Sequence, residues 1–285
     1  MSLLDPTAFA EFAGRFTTPD FLGECAAELS IGVEELRAEM SHYAEEALFG
    51  LNFLSGVGFP GKRVLEVGSG VGILSAWLAL HDVDITPLEP RGIGFDRSLH
   101  MLQRVWTASQ LPLDKLISVR ASGLQPTKHG EFDLIYSVNV LEHIDDLAQT
   151  FAAMASVLAP GGVSRHTCPN YVVPFEPHYG LPLVPRWPKL SGMLAGVAGT
   201  DLWKSFNFIT YFDVRRLARA SGHKVTFERK TLHASFARLG TDEQFRQRHP
   251  LLARVSAAMR ASGALSALQY VPPMLATPMV FRMTR

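Results

Sequence analysis

A glycine-rich turn between a predicted strand and a predicted helix constrains this chain more than any other feature of its sequence. The segment "VLEVGSGVGIL", residues 64–74, contains apolar residues and one acid and then places Gly68, Gly70 and Gly72 at alternate positions. Glycines at such a turn leave the backbone bare, so a ligand can approach the main chain and the N–H groups at the start of the helix. An ordinary tight turn has the same pattern, and the triplet alone leaves both interpretations open.

Two acids near the turn favour a ligand and describe its chemistry. Glu66 precedes the first glycine by two residues, and Glu89 ends the next predicted strand, 21 residues beyond Gly68. An acid in the position of Glu89 accepts hydrogen bonds from a ribose diol. A dinucleotide would require glycine where Ile73 stands, and a pyrophosphate gains nothing from the carboxylate of Glu66. The pattern predicts a cationic ligand with a ribose and no phosphates, and it disfavours a nicotinamide oxidoreductase.

The rest of the chain alternates short apolar strands with helices from Gly61 onward. This alternation predicts an α/β fold with a doubly wound, Rossmann-like, mostly parallel sheet. A helical cap precedes it, because "VEELRAEMSHYAEEALFGLNFL" repeats apolar residues at helical spacing. Six of the 18 prolines lie between Pro169 and Pro188, which is too many for a helix or a central strand and predicts an ordered lid.

We therefore expect the chain to contain six segments. They are a helical N-terminal cap (1–58), a cofactor-binding core (59–168), a proline-rich lid (169–210), a core helix and strand (211–230), a helical insertion (231–275) and a terminal core strand (276–285). Three roles are open for the helical insertion: covering an apolar substrate, joining two subunits as a homodimer, or touching a membrane surface. Its few arginines make membrane contact the weakest of these.

Composition limits the partners and the compartment. Lys plus Arg and Asp plus Glu are both 27, so no net positive charge favours nucleic acid as a partner. The two cysteines, Cys25 and Cys168, have no metal-type spacing and predict neither a zinc site nor a disulfide framework. The first 16 residues lack a basic region followed by an uninterrupted apolar stretch, and no apolar run is long enough for a membrane span, so we expect no integral membrane segment. A cytoplasmic location is expected.

Several motifs in order resemble those of the class I S-adenosylmethionine-dependent methyltransferases. "VLEVGSGVG" resembles their first motif and "ITPLEP" their second, while "FDLIYSVNVLEHIDDLAQTFAAMASVLAPGGV" resembles the ubiquinone- and menaquinone-biosynthesis type. The similarity covers roughly residues 61–168. It implies S-adenosylmethionine as cofactor and, together with the strand and helix alternation, a seven-stranded sheet with a final antiparallel strand at "TPMVFRMTR".

The resemblance also assigns cofactor-binding residues. It implies that the donor is bound by Glu66, Gly68, Gly70, Gly72, Glu89, Ser122 and Asn139. Glu89 is the ribose acid, and Asn139 at the end of the fourth strand contacts the methionine part. The family usually has an acid for the adenine amino group where this chain reads "VRASGLQP". The Ser122 hydroxyl or the backbone of Ala121 and Ser122 is expected to replace it.

The candidate residues for activating the methyl acceptor are histidines. Methyl transfer from a sulfonium requires a positioned acceptor and, for a hydroxyl acceptor, a base. Residues that follow the fourth and fifth strands include His143 and His166, and the lid adds His178. We predict His178 as the leading base and His166 as the second, while His143 is as well explained by packing. A metal site formed by His143, His166, Glu176 and His178 lacks helix-type ligand spacing, and no metal is predicted.

The sequence predicts an enzyme that methylates a small-molecule acceptor, with O-methylation and a histidine general base as the favoured chemistry. The alternative is a regulatory or scaffolding protein that has the methyltransferase fold and binds the cofactor without turnover. The acceptor and the methylated atom stay open.

Overall fold

A computed structural model of the chain describes residues 3–92 and 94–285. In this part of the chain one sheet has six strands in the order β2-β1-β3-β4-β8-β7, and a separate hairpin is formed by β5 and β6. The strands are β1 (Arg63–Val67), β2 (Asp84–Leu88), β3 (Phe132–Val138), β4 (Leu158–Cys168), β5 (Phe175–Glu176), β6 (Leu181–Pro182), β7 (Lys224–Phe227) and β8 (Met279–Thr284).

The helices precede, separate and follow these strands. Before β4 they are α1 (Pro6–Gly14), α2 (Pro19–Leu29), α3 (Val33–Phe53), α4 (Ile73–Ala79), α5 (Asp96–Ala108), α6 (Pro126–His129) and α7 (Leu147–Ser156). After β4 they are α8 (Pro188–Leu194), α9 (Asp201–Ser205), α10 (Tyr211–Ala220), α11 (Thr231–Arg238), α12 (Glu243–Arg248) and α13 (Pro250–Ala261). None of the helices in the described ranges combines the length and apolar character that a membrane span needs.

The sheet confirms a mixed α/β fold with a mostly parallel sheet. Strand β1 pairs in parallel with β2 and β3, whereas β7 and β8 are antiparallel. The predicted terminal strand is therefore present, and it lies between β4 and β7. Since β1 lies between β2 and β3, the strand order reverses beside β1, and ligands of such sheets bind at the carboxyl ends of the strands next to this point.

The predicted number of seven strands is wrong for the described residues, because "LISVRA" (residues 116–121), one of the short apolar segments that alternate with helices and predict strands, forms only a bridge. Ile117 pairs with Leu88: its N–H donates to the carbonyl of Pro87 at 3.0 Å, and its carbonyl accepts from Glu89 at 3.1 Å. The next bond of a parallel ladder in the N-terminal direction would need an N–H on Pro87, which proline lacks. The pairing ends there, and the sheet has six strands.

The described chain divides into two compact units. The first comprises the chain up to Val138 together with Ala153–Val163, and the second comprises Asn139–Ala152 together with Ser164–Arg285. The first contains α1–α6 and β1–β3, and the second contains the proline-rich segment, α11–α13, β7 and β8.

In the first unit, the N-terminal helices pack on α4 and bring α3 close to the glycine turn. Trp77 of α4 lies against two aromatic rings of α1, Phe9 at 5.6 Å and Phe12 at 5.3 Å between centroids. Helix α3 approaches α4 at Gly50, where an added Cβ would lie 2.6 Å from Leu74 Cδ2. A larger side chain at Gly50 would therefore have to displace the side chain of Leu74.

In the second unit, the proline-rich segment folds into a hairpin and two helices. Glu176 of β5 pairs with Leu181 of β6, and α8 and α9 follow. Its apolar side chains form a cluster of their own around Leu183, Trp203 and Phe206, which are all buried. This cluster gives the residues of the hairpin a fixed packing surface.

Candidate active site

The glycine turn is built as the sequence predicts, directly after β1. Gly68, Gly70 and Gly72 all have positive φ angles, 72°, 54° and 75°, which glycine adopts without the steric cost of a side chain. The N–H groups of Gly68 and Ser69 donate to the carbonyl of Leu88, at 2.9 and 3.1 Å. These bonds hold the turn against the end of β2, and Gly72 is the N-cap residue of α4.

The turn is closely covered on two sides, which makes its glycines necessary. A Cβ on Gly72 would lie 2.8 Å from Leu102 Cγ, and a Cβ on Gly70 would lie 3.0 Å from the ring of Tyr43. Side chains at either position would have to displace these neighbours. The turn therefore needs small residues both for its backbone conformation and for its packing.

Glu89 faces the glycine turn from the end of β2. Its Oε2 accepts a hydrogen bond from the N–H of Gly70 at 2.8 Å, and the side chain is 5 % exposed. Burial raises the pKa of Glu89 to about 8, and the bond from Gly70 opposes that rise. The acid that the sequence assigns to a ribose diol is thus next to the bare backbone.

Glu66 lies under the same turn in a buried polar group. Burial raises its pKa to about 8, Tyr136 and Ser75 lower it, and the charge of Glu89 raises it further. Its Oε2 atom is buried and makes no hydrogen bond within the described residues. A buried carboxylate oxygen without a partner is unusual, and it fits a site that a bound donor completes.

Tyr43 is a residue of this site that sequence reasoning missed. It comes from α3 in the N-terminal cap, its ring lies over Gly70, and its hydroxyl lies 3.3 Å from Ser98 Oγ. Burial raises its pKa, partly opposed by the bond with Ser98. The helical spacing around Tyr43 indicated only an amphipathic helix, and no local signal pointed to the glycine turn.

The two remaining residues predicted to bind the donor, Ser122 and Asn139, lie in different units of the chain. Ser122 lies in a half-buried 3₁₀ turn, Ala121–Gly123, in the first unit. Asn139 belongs to the second unit, with φ of 52° and its N–H donating to the carbonyl of Thr167 at 2.9 Å. Asparagine tolerates this left-handed conformation better than most residues.

In the second unit, His178 is held by a buried carboxylate. Its Nδ1 lies 2.6 Å from Oε1 of Glu176, and its side chain is 23 % exposed whereas Glu176 is fully buried. Glu176 also accepts bonds from the N–H of His178 and Tyr179 and from the Tyr171 hydroxyl. Burial alone would raise the pKa of Glu176, but the bonds from His178 and the backbone outweigh burial and lower it.

His143 lies beside His178, with ring centroids 5.5 Å apart. Its Nδ1 is 2.7 Å from Ser205 Oγ, and Phe206 packs on both imidazole rings at 5.1 and 5.0 Å. Burial lowers the pKa of His143 to about 4, and the facing His178 lowers it further, while Glu176 opposes this. The structure thus brings together two of the three predicted histidines.

His166 does not join this pair. It lies within β4 with no exposed surface and packs on Phe281 of β8 at 5.2 Å. Burial lowers its pKa to about 3. A side chain enclosed in the sheet has no surface with which to contact an acceptor, so we do not include His166 in the proposed chemistry. Cys168 is also fully buried, and burial raises its thiol pKa well above the usual value.

Glu142 and His143 share a 3₁₀ turn, Leu141–His143, that Asn207 fixes. The Nδ2 of Asn207 donates to the carbonyls of Leu141 and Ile144 at 2.7 and 2.9 Å, and its backbone N–H donates to the carbonyl of Glu142 at 2.9 Å. One ligand-type atom each from Glu142, His143 and His178 lie within 4.8 Å of one another. Sequence reasoning missed Asn207, because it is far from the turn along the chain.

The geometry of the first unit defines the class of protein. A parallel sheet whose strand order reverses at β1, with a bare glycine turn and a buried acid at the end of the next strand, is a Rossmann-like nucleoside-binding domain. Neither the acids nor the turn suits a pyrophosphate, because Glu66 and Glu89 are both buried carboxyl groups and Glu89 accepts a hydrogen bond from the backbone of the turn.

Comparison with known proteins identifies the family. The family described as "Methyltransferase domain" matches residues 40–235, and the chain belongs to it. An uncharacterized protein of Mycobacterium tuberculosis is 31 % identical over 282 residues, which cover 93 % of this chain and 94 % of that protein. The ubiquinone biosynthesis O-methyltransferase of Psychrobacter cryohalolentis is 34 % identical over 115 residues, covering 38 % of this chain and 40 % of that enzyme.

A solved structure is also similar. An S-adenosylmethionine-dependent methyltransferase from Mesorhizobium loti has 20 % sequence identity and a TM-score of 0.47, and the match covers 82 % of this chain and 94 % of that one. The chain is therefore assigned by its family and its own site: it is a methyltransferase, and S-adenosylmethionine is its methyl donor. The bare turn, Glu89 and the Oε2 atom of Glu66 fit this donor.

Proposed function

We propose that this methyltransferase transfers the methyl group to an oxygen atom of a small-molecule acceptor and that His178 is the general base. The observation that carries this proposal is the 2.6 Å contact between His178 and the fully buried carboxylate of Glu176. A carboxylate that accepts the Nδ1 proton orients the imidazole and leaves the Nε2 lone pair to accept a proton.

In this proposal the donor residues hold the cofactor and the histidine prepares the acceptor. Bound S-adenosylmethionine supplies an activated methyl group, and the acceptor oxygen displaces the sulfur in line. Glu66, the three glycines of the turn and Glu89 hold the donor, with Ser122 at its adenine and Asn139 at its methionine part. The acceptor hydroxyl proton passes to Nε2 of His178 as the new C–O bond forms.

Two observations support O-methylation over the other chemistries. A relative that is 34 % identical to the chain over 115 residues is named as an O-methyltransferase, and a hydroxyl is the acceptor that needs a base most. A scaffolding protein without turnover would have no need of an accessible histidine fixed by a buried acid. We therefore favour an active enzyme with a hydroxyl acceptor.

The test is a methyl-transfer assay with labelled S-adenosylmethionine on small-molecule extracts and on a panel of phenols, alcohols, amines and thiols. We expect label on a hydroxyl compound, and the variant His178→Ala should lower turnover by about 10²- to 10⁴-fold. Glu176→Gln should lower it less, because glutamine still fills the site. His129→Ala is the matched control, since its ring bonds only the nearby Gln125 backbone among the contacts described.

The result that would refute the proposal is full turnover of His178→Ala on the same acceptor. Label on amines or thiols alone would also refute O-methylation. Binding of S-adenosylhomocysteine should be the same in all these variants, which separates a catalytic effect from unfolding.

A further inference from the structure

We propose that Glu142, His143 and His178 bind one divalent transition-metal ion. Each residue provides one ligand-type atom, and these atoms lie within 4.8 Å of one another. Two imidazoles and a carboxylate suit such ions. Ligand bonds of about 2.1 Å in tetrahedral geometry separate the ligand atoms by about 3.4 Å. Closing the present distance therefore takes rotamer adjustments of at most about 1.4 Å.

The hydrogen bonds of the two histidines leave a lone pair on the same ring atom. Ser205 Oγ donates its proton to the carbonyl of Leu202 at 2.7 Å, so it accepts the Nδ1–H of His143. Glu176 accepts the Nδ1–H of His178. In both rings the proton is therefore on Nδ1, and Nε2 carries a lone pair. Metal-binding histidines are commonly held in this way by a carboxylate or another acceptor.

The third ligand is a fully buried carboxylate. Glu142 has no exposed surface. A divalent ion places positive charge against this carboxylate where water is excluded. Because Asn207 fixes the turn on which Glu142 and His143 lie, the two ligands keep their places without the ion.

This ligand set departs from the sequence-based expectation of no metal. That expectation rested on the absence of helix-type spacing, whereas these ligands come from a 3₁₀ turn and from the loop after β5. Two of the four residues weighed from the sequence are not ligands here: His166 is enclosed in β4, and Glu176 bonds His178 from behind.

The ion rests on the proposed O-methylation for its role, though not for its binding, and it replaces His178 as the group that activates the hydroxyl. The Nε2 atom that accepts a proton in the metal-free protein is the atom that binds the ion. With the ion present, the acceptor oxygen is the fourth ligand, its hydroxyl pKa falls and its proton goes to solvent. His178 then serves as a ligand, and O-methylation follows with the same balance of bonds.

The test measures binding of Co²⁺ to the full chain after treatment with a chelator. Equilibrium dialysis and the visible absorption of Co²⁺ should show one ion per chain. Glu142→Gln, His143→Ala and His178→Ala should each remove the absorption band. Glu176→Gln should weaken binding by about 10- to 100-fold, the usual effect of losing a residue that orients a ligand. His129→Ala is the matched control and should bind as the unchanged protein does.

Two outcomes would overturn the proposal. One is that the unchanged chain shows no saturable Co²⁺ binding, and the other is that the three ligand variants bind Co²⁺ as tightly as the unchanged chain does. Thermal unfolding of each variant verifies that it is folded. The two proposals fail separately. A protein that binds no Co²⁺ and methylates a hydroxyl at full rate after chelation keeps the proposed function and refutes the metal site. A protein that binds one Co²⁺ but labels no hydroxyl compound keeps the metal site and refutes the proposed function.

Discussion

Replacing Glu89 by glutamine should make donor binding less dependent on pH, and the size of the effect follows from the burial of this carboxyl. In the ligand-free protein burial raises the pKa of Glu89 to about 8. At pH 7 about one tenth of the protein then has the ionised acid that accepts bonds from a ribose diol, and at pH 9 about nine tenths has it. The affinity for the donor should therefore increase as the pH rises through about 8.

The magnitude can be worked through for Glu89→Gln. Loss of hydrogen bonds to a charged acceptor costs about 1.5–3 kcal/mol, so at pH 9 the variant should bind about 10- to 150-fold more weakly. At pH 7 the advantage of the wild type should be about tenfold smaller, because one pKa unit corresponds to about 1.4 kcal/mol. Glutamine keeps the shape of the protonated acid and an oxygen for the N–H of Gly70.

The assay is calorimetry with S-adenosylhomocysteine between pH 6 and pH 9. Titration of the ligand's own amino group is the same for both proteins and cancels in the ratio of their affinities. A ratio that stays constant over this range would refute the link between burial and ionisation. Equal affinities at pH 9 would remove Glu89 from the donor site altogether.

Three further changes test the glycine turn and its surroundings. Gly72→Ala should lower the free energy of unfolding in a denaturant titration by about 1–3 kcal/mol, because its φ of 75° is strained for alanine and the new Cβ would lie 2.8 Å from Leu102. Tyr43→Ala should weaken binding of S-adenosylhomocysteine whereas Tyr43→Phe should not, since the ring covers Gly70; equal effects would refute a packing role. Glu66→Gln should become more stable relative to wild type in thermal unfolding as the pH rises from about 4.5 to about 8. Burial raises the pKa of Glu66 to about 8 in the folded wild type, so between these pH values the unfolded wild-type chain ionises this acid while the folded protein keeps its proton, and wild type loses stability.

The donor side of the fold could be predicted because its determinants are local. Gly68 and Glu89 are each tied to the end of a strand, and a strand followed by a bare turn has few alternatives. The terminal antiparallel strand was also predictable, from a last apolar segment after a proline. The strand count failed at one residue, Pro87, which cannot donate the bond that a longer pairing with the segment at Ile117 would need.

The acceptor side was predicted only in part, because its contacts are distant in sequence. The sequence indicated His178 and named Glu176 nearby, and the hairpin explains why they meet, since the residues that follow β5 turn back over it. Ser205 and Asn207 act on the turn of His143 from more than 60 positions away. No local pattern could have assigned His166 to the interior of β4, because a histidine after a strand and one inside it look alike.

This difference follows from what each side of the reaction requires. The donor presents the same ribose and sulfonium to every methyltransferase of this fold, so a short motif with a glycine turn and an acid can serve the whole family. Acceptors differ in shape and in the atom methylated, and the groups that activate them come from loops whose partners vary. In this chain the groups that we propose for this role are Glu142, His143 and His178, each set in place by a residue outside its own turn or by a buried carboxylate. Under both proposals, the chemistry of the acceptor depends on the lone pairs that these hydrogen bonds leave on the two histidines.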